Sequence, residues 1–239
     1  MVDLRLIILF LLVFSVSYFS LKFWVTRAAA AGLVGKDIHK KDQPAVAEMG
    51  GLPVVFSFIV GSFAYLGMRV FLFGTHQFSE SIFAVVLAVL IAAVIGMVDD
   101  ILGWKIGLRQ WQKPVLTLLV AFPIMAVDAG VRIMSIPLIG QIDLGLLYPF
   151  LVIPAVVLVG SNGTNMLAGF NGLEAGLAGI IIATLGWLSY VSGASWIAAL
   201  CLLMLVSLAV FWLFFNRYPS KVFPGDTFTY ATGAFIAAV

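Results

Sequence analysis

Long apolar runs follow one another along this chain with only short polar breaks between them, and that succession decides what it can fold into. Residues 4–25, 52–73 and 81–98 are three clear candidates of about 18 to 22 residues, the length that crosses ~30 Å of hydrocarbon as a helix. Residues 114–127, 144–159, 173–191 and 196–215 add four more, and an eighth begins near Phe228 and is cut off at Val239. A soluble domain carries about 25% charged residues. Here 10% are charged and 63% hydrophobic, with a mean hydropathy of +1.15, too few charges to cover a water-facing surface. The expectation is an all-α polytopic membrane protein of about eight transmembrane helices, the eighth truncated. The first run is longer than a signal-peptide core and has Lys22 and Arg27 about its end rather than a small-residue cleavage site, so it reads as a retained span. Pro123 and Pro154 fall within the fourth and fifth runs, where kinks or tilts are expected. The single cysteine, Cys201, lies in an apolar run and offers neither a disulfide framework nor a thiolate metal site.

Basic residues set the expected orientation. Arg27, Lys36, Lys40 and Lys41 follow the first run, Lys105, Arg109 and Lys113 the third, and Arg217 and Lys221 the seventh. Arg5, Arg69 and Arg132 fall on the other side. The richer side should be cytoplasmic, with the N-terminus outside. That assignment also puts the break after the fifth run on the cytoplasmic side, so Asn162-Gly163-Thr164 reads as no glycosylation acceptor.

That break is itself unusual. "SNGTNMLAGFNGLEAG" packs asparagines and glycines together with one glutamate and no lysine or arginine. Two other breaks carry conspicuous acids. Asp99 and Asp100 end the third run as "IGMVDDILGW", where paired carboxylates at a helix C-terminus oppose its dipole and are costly unless they meet a cation. Asp226, in "VFPGDTFTY", follows Pro-Gly at the entrance to the eighth run, a position that suits a helix N-cap. Carboxylates, carboxamides and a lysine ammonium thus converge on one face from Asp99, Asp100, Lys113, Asn162, Asn165, Asn171 and Asp226. Magnesium takes oxygen donors, keeps several waters and uses one or two carboxylates together with phosphate oxygens, so this set fits Mg²⁺ bridging phosphates. No Walker-type or Rossmann-type glycine loop is present. The two histidines, His39 and His76, fall on opposite faces and cannot share a metal site.

These residues resemble the polyprenyl-phosphate N-acetylhexosamine-1-phosphate transferases (glycosyltransferase family 4). "GMVDD" looks like the family's aspartate-pair motif, "NGTNMLAGFNGLEAG" like its asparagine-rich nucleotide and metal motif, and "VFPGDTFTY" like its Gly-Asp-Thr motif. "GKDIHKKDQPAVAEMGG" resembles its first cytoplasmic loop. Bacterial members usually carry aspartates where this chain has Ala168 and Asn171, so the likeness is greatest to eukaryotic and archaeal enzymes that act on dolichyl phosphate. The resemblance implies transfer of GlcNAc-1-phosphate from UDP-GlcNAc to dolichyl or another polyprenyl phosphate, giving GlcNAc-diphosphodolichol and UMP, the first lipid-linked step of N-glycan assembly. It implies a magnesium cofactor, with Mn²⁺ as the alternative, and a multi-pass location with the site facing the cytoplasm. An archaeal cell membrane is favoured over the endoplasmic reticulum. No nucleic-acid partner is expected, and homodimerisation is left open.

Carried over residue by residue, the resemblance assigns Asn165 and Asp226 to the metal and Lys113 to a donor phosphate, with Arg109 or Lys105 as alternatives to Lys113. Asp99 and Asp100 go to the acceptor phosphate, Asn171 to uracil, Asn162 and Gly169 to the nucleotide end of the pocket, and Glu48 to the donor. Glu174 is open between a helix-start role and catalysis, and Gly172-xxx-Gly176 reads as a helix-contact motif. The whole of 1–239 reads as a single multi-pass transferase domain, C-terminally incomplete relative to the family, whose members run to roughly ten spans. With one lysine facing two phosphates, the 239 residues are expected to hold the nucleotide-facing half of the site and to turn over little alone. Two rival readings carry less support. A sibling enzyme could use another UDP-sugar or undecaprenyl phosphate. A transporter would place ionisable residues at mid-membrane, where this chain has almost none.

Overall fold

The computed structural model describes residues 4–239 except Ala129, Val131, Pro137, Ile139 and Tyr218. Helices dominate it, as the apolar runs require: a chain crossing hydrocarbon must satisfy every backbone group within the segment. They are α1 (Leu4–Ala30), α2 (Gly51–Gly67), α3 (Ser79–Ile106), α4 (Gln112–Ala126), α5 (Ile153–Met166), α6 (Leu173–Val191), α7 (Ser195–Phe211) and α8 (Gly225–Ala238). Helices α2 and α7 run on into π-helical turns at Met68–Leu72 and Trp212–Asn216, and a third such turn, Tyr148–Val152, leads into α5. That last turn lies directly ahead of Pro154, whose ring cannot donate to the ladder, and is the local adjustment expected there.

Six of these helical stretches among the described residues are long and apolar enough to cross a membrane; α4 and α8, at 15 and 14 residues, are shorter. The expected fifth span, residues 144–159, is helical only from Tyr148 and runs on to Met166. Ahead of it Gly140–Asp143 forms β4, paired antiparallel with β3 (Ile133–Ile136) in a hairpin between α4 and α5. At the other end of that span, Ser161–Met166 belongs to α5, so the asparagine-rich stretch is half helix and half loop rather than a connecting loop.

The helices sort by what they face. Helices α1, α5 and α6 expose large apolar side chains along their length, Phe19, Val159 and Trp187 among them, as lipid-facing helices do. Helix α8 is enclosed: Thr227 to Phe235 are all buried. It packs most extensively against α3 and α5. The approach to α3 depends on Gly96, where a Cβ would lie 2.4 Å from the Asp226 carbonyl oxygen. On the α5 side the Thr164 hydroxyl donates to the Thr229 carbonyl at 2.7 Å. Ser57 Oγ donates to Ser207 Oγ at 3.1 Å between α2 and α7, the kind of hydroxyl bond that joins helices inside a bilayer. The Gly172-xxx-Gly176 expectation is met by half. A Cβ on Gly172 would meet Trp212 Nε1 at 2.8 Å, whereas Gly176 faces open space and mediates no contact.

A second hairpin, β1 (Val34–Lys36) with β2 (Ala45–Ala47), lies between α1 and α2. The segment before α8 docks onto it: Phe223 N–H donates to Ala47 O, and Gly50 and Gly51 N–H donate to Phe223 O and Pro224 O, all within 2.9 Å. The breaks after α1, α3, α5 and α7 therefore meet at one end of the bundle, around the entrance to α8.

Candidate active site

The entrance to α8 is built from α3. Asp100 accepts hydrogen bonds from the Asp226 N–H (2.7 Å), the Thr227 N–H (2.9 Å) and the Thr227 hydroxyl (2.6 Å). A helix's first N–H groups have no partner within the helix, and a carboxylate accepting from them serves as a cap and complements the dipole. The expected capping role of Asp226 is thus filled by Asp100 of another helix, and α8 has no side-chain cap of its own. Gly225 makes the contact feasible. Its φ of +74° favours glycine, and a Cβ there would lie 2.7 Å from Asp100 Oδ2.

With its backbone held by Asp100, the Asp226 side chain is free for other partners. Its Oδ2 lies 3.0 Å from Lys113 Nζ, and its Oδ1 accepts from Asn165 Nδ2 at 2.7 Å. Lys113, at the start of α4, also reaches Asp99 Oδ2 at 2.5 Å, so one ammonium bridges two carboxylates. Asp99, 8% exposed, accepts the Leu108 N–H at 2.6 Å through its other oxygen. The chain can fold back this way because Gly103 (φ +67°) breaks the helical path of α3. The two adjacent aspartates therefore do different work. Successive helical residues point about 100° apart; Asp100 faces α8 while Asp99 faces Lys113.

Two cavities meet at Asp226. The first, about 460 Å³, is lined by Glu48, Asp99, Asp100, Gly107, Lys113 and Asp226. Burial together with the nearby Asp100 charge pushes the Glu48 carboxyl above its ordinary range. The second cavity, about 270 Å³, has Asp37, His39, Gly169, Phe170, Asn171 and Glu174 on its walls and shares Phe223, Gly225 and Asp226 with the first. Its loop is held from both sides. Glu174 Oε1 accepts the Gly169 N–H at 2.8 Å from the first turn of α6, and the His39 and Phe170 rings stack at 4.9 Å. Asn171 Nδ2 donates to the buried Asp37 at 3.0 Å. Glu174 Oε2 is buried with no hydrogen-bond partner among the described residues.

Of the residues selected from sequence, Asp99, Asp100, Lys113, Asp226 and Glu48 share the first cavity, Asn165 bonds to Asp226, and Gly169 and Asn171 line the second. Asn162 is not brought in. Its amide donates to Thr117 Oγ1 and Leu158 O, both at 2.9 Å, which ties α5 to α4, and it lines neither cavity. Lys113 rather than Arg109 provides the cation, and the Lys105 side chain lies outside the described residues. Sequence reasoning did not single out Asp37, Phe170 or Phe223. The signal for Asp37 was a lone acid in "GKDIHKK", a run otherwise basic.

Asp226 and Asn165 carry hard oxygen donors, the kind magnesium takes, beside the ammonium that Asp99 and Asp226 share. Asn165 now turns its nitrogen to Asp226 and to Thr229 Oγ1, so offering its oxygen to a cation requires the carboxamide to turn over.

A bundle of long apolar helices whose charged and carboxamide groups converge on two joined cavities at one end is a membrane protein with a polar ligand site. The glycosyl transferase family 4 model matches residues 82–239, and the chain belongs to that family. It is 35% identical over 239 residues to a Saccharolobus solfataricus protein provisionally named as UDP-N-acetylglucosamine–dolichyl-phosphate N-acetylglucosaminephosphotransferase, covering 99% of this chain and 70% of that one. The Schizosaccharomyces pombe protein of that name is 28% identical, over 87% of this chain and 55% of its own. A phospho-N-acetylmuramoyl-pentapeptide-transferase of Lactobacillus delbrueckii subsp. bulgaricus is 32% identical, over 86% of this chain and 64% of its own.

Proposed function

We propose that this protein transfers GlcNAc-1-phosphate from UDP-GlcNAc to dolichyl or a related polyprenyl phosphate, releasing UMP. The observation that carries this reading is Lys113, held between Asp99 and Asp226 where two cavities join. A reaction joining two phosphates needs a place where their negative charges are neutralised side by side, and phosphoryl transfer depends mostly on such positioning. The second cavity, with its carboxamide and aromatic rings, takes the nucleotide. The first, rimmed by carboxylates at the end of α3, takes the acceptor phosphate.

In that arrangement an acceptor phosphate oxygen attacks the donor β-phosphorus, forming the new diphosphate bond as the bond to the UMP oxygen breaks. Lys113 offsets charge on the phosphoryl oxygens, and Asp99 fixes the ammonium. Asp100 acts through α8, holding Asp226 in place. Mg²⁺ or Mn²⁺, held by Asp226 and Asn165, would supply Lewis-acid stabilisation of the diphosphate. Direct attack is the simpler course, since both carboxylates of the pair already have partners. The excess of lysine and arginine in these breaks supports a cytoplasmic site. The likeness to the Saccharolobus protein supports an archaeal cell membrane.

The test offers membranes holding the full gene product a panel of radiolabelled UDP-sugars with either dolichyl or undecaprenyl phosphate. Lipid-extractable label should come from UDP-GlcNAc, and more from the dolichyl acceptor. Label only from another UDP-sugar, or only on undecaprenyl phosphate, would shift the reading to a sibling transferase.

A further inference from the structure

We infer that Asp37 sets the base preference of the second cavity by locking the Asn171 carboxamide in the orientation that pairs with uracil. The inference rests on the reading that the donor is a uridine diphosphate sugar.

A carboxamide carries an acceptor and a donor on one flat group, and turning it over exchanges them. Uracil presents an acceptor, O4, beside a donor, N3–H; cytosine presents a donor, its 4-amino group, beside an acceptor, N3. An asparagine free to turn over complements either edge with two hydrogen bonds. Asn171 is not free. Its Nδ2 donates to Asp37 Oδ2 at 3.0 Å, and Asp37 is 5% exposed. An ionised carboxylate only accepts, so the turned-over carboxamide would set its oxygen against a carboxylate oxygen. That leaves a burial cost without a compensating bond.

Asp37 is itself well held. Its N–H donates to Pro44 O at 3.0 Å, closing the loop of the β1–β2 hairpin. Its Oδ1 accepts the His39 N–H at 3.3 Å, and the His39 ring stacks on Phe170 beside Asn171. These contacts hold the carboxylate beside the Asn171 carboxamide. What remains of Asn171 for a ligand is Oδ1 and the second Nδ2–H, an acceptor beside a donor in one fixed order. Oδ1 accepts uracil N3–H, and the remaining N–H donates to O4. Cytosine offers the opposite order. Asp37 touches no base in this scheme; it is a positioning residue that acts through Asn171.

The experiment is equilibrium binding of UDP and of CDP, in one Mg²⁺ buffer, to the detergent-solubilised wild type, Asp37→Asn and Asn171→Ala. A site built around a fixed hydrogen-bond order discriminates strongly, so wild type should favour UDP by about tenfold or more. Asp37→Asn keeps the size of the side chain but can donate or accept. It should bring the UDP:CDP ratio close to one, chiefly by strengthening CDP. Asn171→Ala should weaken UDP and also lose the preference. If Asp37→Asn does not fold, as judged by its helical circular dichroism, Asp37→Ser is held to the same criterion. An Asp37 variant that binds UDP more weakly at an unchanged UDP:CDP ratio would make Asp37 a merely structural residue and overturn the inference, leaving the uridine reading intact. A wild type without preference for UDP would overturn the uridine reading itself.

Discussion

Asp100 on α3 caps the helix that carries Asp226, accepting the N–H groups of Asp226 and Thr227 with its two carboxylate oxygens. One member of the aspartate pair is therefore a structural support for a residue far away in sequence, and the two aspartates should fail differently. Losing an N-cap costs about 1 kcal/mol, and leaving buried donors unpaired adds about 1–3 kcal/mol. Asp100→Ala should lower the melting temperature by several degrees as well as stopping turnover. Asp99→Asn keeps an acceptor for the Leu108 N–H, so it should stop turnover with less change in melting. Equal thermal shifts in the two variants would remove the distinction.

Asp226→Asn tests the other end of the same contact. The variant retains an oxygen for Lys113 or Asn165, so helix content and melting should change little. Turnover should fall by at least about 100-fold, the scale of losing one preorganised electrostatic group. Unimpaired turnover would take Asp226 out of the chemistry.

Lys113→Met leaves Asp99 and Asp226 facing each other without their shared cation. Removing one partner of a buried ion pair costs about 3–5 kcal/mol; Lys113 is 23% exposed, so the loss should lie toward the low end. Chemical denaturation of the purified variant reads this directly, and an unchanged midpoint would show that the bridge contributes nothing to stability.

Backbone space gives a paired comparison. Gly225→Ala adds a Cβ against Asp100 at a positive φ, where strain costs about 1–3 kcal/mol, and should lower both melting temperature and turnover. Gly176→Ala, where a Cβ meets nothing within 4 Å, should be silent in both assays. Matching behaviour of the two would contradict the packing described for the α8 entrance.

Glu48 provides a pH test. Its carboxyl is pushed up by burial and by Asp100, so the folded protein holds this proton more tightly than the unfolded chain. Stability then falls as pH rises from the ordinary glutamate range through the raised value, and the penalty persists above it. Glu48→Gln should be the more stable protein at neutral pH, with the difference closing as pH drops below the ordinary glutamate range. A difference independent of pH would assign the effect to packing.

How far the sequence could be read follows from these contacts. Apolar runs marked the helices well: the sixth, residues 173–191, coincides with α6. The break after α3 was legible because two acids at a helix end are electrostatically conspicuous. The division of labour between them was not, because it depends on which helix lies beside each carboxylate. Ser161–Met166 read as loop because asparagine, glycine and threonine favour turns, yet α5 holds them helical through packing on α8 at Thr164. Asn162 looks like Asn165 and Asn171 in sequence, but the helix turns it toward α4. Asp37 stood out only as a lone acid in a basic run; its pairing was not legible, because Asn171 lies 134 positions away.

The most direct test of the central claim follows the β-phosphorus. Membranes holding the full gene product receive UDP-GlcNAc labelled with ³²P at the β-position, together with dolichyl phosphate and Mg²⁺. Two phosphates meeting at Lys113 and Asp226 predict that the ³²P enters the lipid phase with the sugar, that unlabelled UMP is released, and that Asp226→Asn abolishes both. Release of ³²P-labelled UDP, with sugar alone reaching the lipid, would mean that the glycosidic carbon and not the phosphorus is attacked, and would contradict the account.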